Sequence, residues 1–136
     1  MTDRQRTFSG SPFEGTIGFC RAIRVGERVL VSGTAPIWPD GSCPDDAVVQ
    51  AARCLEIIVS ALENAGARAS DVVRTRMLLT DASDGEAVGR AHAAVFGEHP
   101  PAATMVVVAA LLDPRWKVEI EAEAVLSADG RPNPSA

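Results

Sequence analysis

The chain has 136 residues, of which 46% are hydrophobic and 23% charged, a length and balance that leave room for one compact domain and no second. Thirteen Lys and Arg against eighteen Asp and Glu give a formal charge of -5, which repels a phosphate backbone and argues against nucleic acid as a partner. Cys20, Cys43 and Cys54 form no CxxC pair, the N-terminus is polar, and no apolar run approaches a bilayer span, so a cytoplasmic protein without disulfides, structural zinc or a membrane partner is expected.

With no Tyr and 4% aromatic residues, Val, Ala, Leu and Ile must fill the core. After a loose start, residues 19–25 alternate, with Phe19, Arg21, Ile23 and Val25 on one face and Cys20, Ala22 and Arg24 on the other, the period of a strand. Gly26-Glu27 links this run to a second at 28–32, a hairpin signal, and Ser32-Gly33 closes it. Residues 34–44 are rich in Pro, Asp, Gly and Ser and read as a connection.

Asp45 or Asp46 can cap a helix whose apolar positions Val48, Ala51, Ala52, Leu55, Ile58, Val59 and Leu62 recur at helical spacing, with Gly66 as its stop. Residues 72–80 are rich in β-formers, with Arg74, Arg76 and Leu78 on one face. Ser83 or Asp84 starts a shorter helix carrying Val88, Ala91 and Val95, ended by Gly97. Beyond Pro100-Pro101, residues 103–110 are almost wholly apolar, the pattern of a strand covered on both faces. Residues 117–125 alternate strictly, with Glu119, Glu121 and Glu123 on one side and Val118, Ile120, Ala122 and Ala124 on the other. Residues 1–126 thus make the domain and 127–136 a frayed tail.

Two helices cover only one face of a sheet of about five strands, so the layers predict an α+β sandwich with its other face bare. The natural cover is a further copy of the sheet, which makes the chain a homo-oligomer.

The ordered set Ser32-Gly33, Ala65-Gly66 followed by Asp71-Val72-Val73, Asp81, Phe96-Gly97, Pro101-Ala102-Ala103-Thr104 and Val118-Glu119-Ile120-Glu121-Ala122 resembles the RidA/YjgF family from residue 19 to 125. The resemblance implies a chorismate-mutase-like ββαβαββ two-layer sandwich, assembled as a homotrimer with ligand clefts between subunits. It also implies hydrolysis of reactive enamines and imines to a 2-oxo acid and ammonia, with no cofactor or metal. In the family an Arg directly after Pro-Ala holds the substrate carboxylate while a Glu directs water. Here the Arg position is Ala103. A methyl group cannot replace that charged fork, and its loss costs about 2 to 5 kcal/mol of anion binding.

On that resemblance Glu119 and Thr104 are the candidate catalytic residues, and Phe19, Arg21, Ser32, Gly33 and Ala103 the candidate substrate-binding positions. Phe19 lacks the family's phenol hydroxyl, and Gly89 stands where a polar amide is often found. Arg21, two residues beyond Phe19, is placed by the pleat to substitute for the missing cation, and Arg76 is the other candidate, more simply explained by an ion pair with a Glu of the last strand. A structural alternative pairs Glu119 with Arg74 or Arg76 across strands. The leading expectation is therefore a RidA-like deaminase acting on a small imine or enamine metabolite. Its alternative is a trimer that binds a small molecule without turning it over. Ribonuclease activity, attached to some relatives, is opposed by the net charge.

Overall fold

The computed structural model describes residues 3–126, so the tail expected at 127–136 lies outside the described residues. Local signals build its first hairpin. Strands β2 (Ala22–Val25) and β3 (Arg28–Thr34) pair antiparallel, with Val25 opposite Arg28, and the linking Gly26 takes φ +61°, the left-handed backbone favoured in such a two-residue turn. A strand not anticipated from the sequence, β1 (Arg4–Thr7), extends the hairpin, with Arg4 opposite Val25 and Thr7 opposite Ala22. Its Arg-Gln-Arg-Thr sequence has no apolar alternation, so backbone pairing alone defines it. The alternating run read from residue 19 becomes a paired strand only at Ala22.

Helix α1 (Ala47–Asn64) starts where the side chain of Asp46 accepts the N–H groups of Val48 and Val49 at 2.9 and 3.1 Å. Its buried stripe includes Ala51, Cys54, Leu55, Ile58 and Leu62, and Gly66 takes φ +87° just beyond it, as a helix stop requires. Asp46→Ala should therefore cost about 1 kcal/mol, read as a lower midpoint in urea with an unchanged slope. The chain continues through β4 (Val72–Leu79), α2 (Gly85–Phe96), β5 (Ala102–Val107) and β6 (Val118–Val125). Asp81 caps a short 3-10 turn ahead of α2, its carboxylate accepting the Ser83 N–H at 2.9 Å. The second helix accordingly begins one or two residues later than the sequence suggests.

The six strands lie in the order β1-β2-β3-β6-β4-β5. The expected ββαβαββ order is present with one strand added in front. Both helices cover one face, where Val29, Val31, Met77, Leu79, Val118 and Ile120 are buried with the apolar sides of α1 and α2. The opposite face carries Ile23, Leu30, Ser32, Arg74, Arg76 and Glu121 around a shallow hollow of about 310 Å³. One expectation is corrected: the apolar run after Pro100-Pro101 is not covered on both sides. It forms the sheet's outer strand, pairs in parallel with β4 alone, and leaves Met105, Val106 and Val107 exposed. Its composition records a need for burial that this chain by itself does not meet. Among the described residues, no helix is long and apolar enough to cross a membrane.

Candidate functional site

The row of glutamates on β6 separates into two kinds. Glu121 and Glu123 are ion-paired: Arg76 Nη1 donates to Glu121 at 2.6 Å, and Arg28 pairs with Glu123, while the pairing of Glu119 with Arg74 or Arg76 does not form. Arg74, which faces Glu123 in the strand register, instead donates to Thr104 Oγ1 at 3.3 Å. Glu119 has no ion-pair partner among the described residues within 4.0 Å. It lies opposite Leu78 on β4 and against Gly33 on β3. Burial raises its pKa above the usual carboxylate value, Arg21 pulls against that shift, and Glu121 adds to it.

A bulge in β3 makes the place for this carboxylate. Val31 pairs with Ala122 and Thr34 with Ile120, so β3 uses one residue more than β6 across the interval. The extra residue falls at Ser32-Gly33, inside a run the sequence suggests is closing. It turns Thr34 into the core, where it is 1% exposed, and lays the Gly33 backbone beside Glu119. A β-carbon at Gly33 would sit 3.1 Å from Glu119 Oε2, so any larger residue displaces the carboxylate. Ser32 Oγ is engaged in donating to the carbonyl of Cys20 at 2.8 Å.

Phe19 and Arg21 do come together, the guanidinium carbon lying 5.2 Å from the ring centre. Arg21 itself is 5% exposed, and its Nη1 donates to Gly33 O at 2.7 Å and Thr34 Oγ1 at 3.0 Å. Its nearest acid is Glu14, 3.7 Å away. Glu14 is equally buried and accepts from Ser9 N, Ser9 Oγ and Gly10 N at 3.0, 2.9 and 3.1 Å. Sequence reasoning missed this carboxylate because it sits in the polar N-terminal stretch without periodicity. Burial acts to raise its pKa, but the hydrogen bonds from Ser9 and Gly10 and the charge of Arg21 outweigh burial and hold it below the ordinary value.

Thr104 and Ala103 are not brought to Glu119 within one chain. Thr104 lies opposite Arg76, which in turn faces Glu121, so it shares the bare face with Glu119 but stands two strands away and one pleat out of register. Ala103 lies opposite Thr75, whose side chain is buried on the helix side and meets His92 Nε2 at 2.8 Å. Positions 103 and 119 therefore belong to opposite faces of the sheet. Neither Thr104 nor Glu119 lines the hollow on the bare face. On α2, a β-carbon at Gly89 would meet nothing within 4 Å. Cys54 is fully buried with its thiol pKa pushed up, first by burial and then by Glu119, which suppresses nucleophilic use.

Known proteins share both the sequence and this architecture. The family model described as Endoribonuclease L-PSP matches residues 11–126. A Streptomyces coelicolor protein described as uncharacterized is 37% identical over 88% of this chain and 90% of its own length. The Escherichia coli K12 2-iminobutanoate/2-iminopropanoate deaminase is 34% identical over 79% of this chain and 86% of its own. Among solved structures, a Mycobacterium tuberculosis member of the YjgF/YER057c/UK114 family superposes with a TM-score of 0.85 at 43% identity, covering 91% of this chain and 100% of that one. The Escherichia coli YjgF gene product gives 0.73 at 34% identity, covering 80% and 89%. With the matched span running from residue 11 to the last strand, the chain belongs to the YjgF/RidA family.

Proposed function

We propose that the protein hydrolyses a small imine or enamine metabolite, with Glu119 directing the attacking water. The observation that carries this reading is the separation of Glu119 from its two neighbours: among the described residues it alone of the three has no cation within 4.0 Å, feeling Arg21 only at longer range, and it rests against a glycine backbone at a bulge. A half-buried carboxylate with a raised pKa is a stronger base than an exposed one, which suits proton transfer. In the reaction, Glu119 takes a proton from water as oxygen bonds to the imine carbon. The proton passes to nitrogen to give a carbinolamine; its hydroxyl proton then moves through Glu119 to nitrogen as the carbon–nitrogen bond breaks, and ammonia leaves behind a carbonyl product. An enamine first takes a proton on carbon to become the imine.

Thr104 and Ser32 assist by holding water or substrate, and the cleft is completed when further copies of the chain cover the bare face and the apolar β5 edge as a homotrimer. One finding supports that assembly: the exposed Met105, Val106 and Val107. With Ala103 in place of the family cation and Arg21 held by Gly33, Thr34 and Glu14, the preferred substrate lacks a carboxylate. Free thiols at Cys20, Cys43 and Cys54 accord with a cytoplasmic setting. The same alanine favours a second reading, a trimer that binds a metabolite without turnover.

Ammonia release from freshly generated 2-aminoacrylate and from neutral enamines separates the readings. The proposal expects turnover of a neutral enamine above that of 2-aminoacrylate. Rapid turnover of 2-aminoacrylate would overturn the role given to Ala103, and turnover of neither would favour the binding trimer. Gly33→Ala should lower the neutral-enamine rate about tenfold by shifting the Glu119 carboxylate a few tenths of an ångström. A rate unchanged in that variant would separate the carboxylate's position from the chemistry.

A further inference from the structure

The bulge that seats Glu119 lies past the end of the β2–β3 pairing. The last strand register is Ala22 opposite Val31, and one further bond follows, from Ser32 N to Arg21 O at 2.9 Å. Gly33 is beyond that register, and the side chain of Arg21 takes over there: Nη1 donates to Gly33 O at 2.7 Å and to Thr34 Oγ1 at 3.0 Å. Thr34 Oγ1 in turn donates to Ser32 O at 2.7 Å. One guanidinium nitrogen thus ties the residue beside Glu119, its successor and, through a hydroxyl, its predecessor.

Arg21 is itself firmly held. It is buried, its guanidinium carbon lies 5.2 Å from the Phe19 ring centre, and Nε stands 3.7 Å from a Glu14 oxygen that Ser9 fixes. Burial lowers its pKa from the ordinary arginine value while Glu14 and then Glu119 oppose that shift, and a guanidinium stays charged in either case.

Few charges surround Glu119. On β3 its neighbour is Gly33, and on β4 it lies opposite Leu78. Arg76 of β4 is committed to Glu121, and Cys54 of α1 stays a neutral thiol because burial pushes its pKa up. Glu121 on β6 opposes ionisation of Glu119, and Arg21 favours it. We propose that Arg21 is a positioning residue for Glu119: it holds the Gly33 bulge on which the carboxylate rests, supplies the cation that acts on that carboxylate, and does not bind substrate. This rests on the reading of Glu119 as the base, and it withdraws Arg21 from the substrate-binding positions expected from the sequence.

Carbon-13 NMR titration of the Glu119 carboxyl in the full chain, assigned by its loss in Glu119→Gln, tests the assignment without requiring turnover. Arg21→Met alone would leave Glu14 buried without its cation, so it is combined with Glu14→Gln, which removes both charges together. In that double variant the Glu119 midpoint should rise by at least about 0.5 pH unit. With a neutral enamine, at a pH above both midpoints, kcat should fall about tenfold while KM changes less than about twofold. Arg21→Lys restores the charge but not the fork, so the midpoint should return to within about 0.2 pH unit of wild type with kcat still about tenfold down. A Glu119 midpoint unmoved in the double variant, a loss that falls on KM alone, or wild-type kcat in Arg21→Lys each overturns the proposal. Full turnover by Glu119→Gln, or none by wild type, overturns instead the reading of Glu119 as the base, and the NMR midpoint then decides whether Arg21 acts on that carboxylate.

Discussion

Glu119→Gln is expected to lower ammonia release from a neutral enamine by about 10²- to 10⁴-fold, the range for loss of a positioned acid or base, while leaving the protein folded. The second half of that expectation follows from the sign of the pKa shift. Burial raises the Glu119 pKa in the folded state above its ordinary value, so at pH values above that value ionising the group in place opposes folding. Glutamine removes that opposition, and the thermal midpoint at neutral pH should be unchanged or higher. For the wild-type enzyme, kcat/KM should rise with pH through a midpoint above 4.5, as the base loses its proton, and this limb should vanish in the variant. A variant that loses activity together with stability would mark Glu119 as structural. A variant that keeps full turnover would remove it from the chemistry.

The elements that carry strong periodicity are legible before any coordinates. The stripe from Ala51 to Leu62 and the strict alternation of β6 each report a surface that buries one side, and both appear as the spacing requires. The three glutamates of β6 are equivalent in sequence, however, and differ only because the neighbouring strands bring Arg76 to one, Arg28 to another and a bulged glycine to the third. A glycine within a β-rich run is the local sign of such a bulge, yet its register depends on β6, which lies far along the chain. The apolar run of β5 speaks of burial without saying what provides it, and topology then places the strand at an edge. Least legible is the N-terminal strap, residues 7–14. It is polar, lacks periodicity and owes its place to one carboxylate whose partners are two backbone N–H groups, a hydroxyl and an arginine across the fold.

That strap carries the largest expected effect on stability. Glu14→Ala removes the acceptor for Ser9 N, Ser9 Oγ and Gly10 N and leaves Arg21 buried without its nearest acid. Breaking a buried pair on one side costs about 3 to 5 kcal/mol, so the thermal midpoint should fall by about 10 °C or more. The pH dependence has a definite sign. Because the folded-state pKa of Glu14 lies below its ordinary value of 4.5, its contribution is complete above that pH and is lost as the solution is acidified through the folded-state value. Urea midpoints for wild type and Glu14→Ala should therefore lie far apart at pH 7 and draw together on acidification below pH 4.5. A gap that stays constant with pH would assign the loss to packing instead of charge, and a midpoint within about 3 °C of wild type would mean that the strap is held by other contacts.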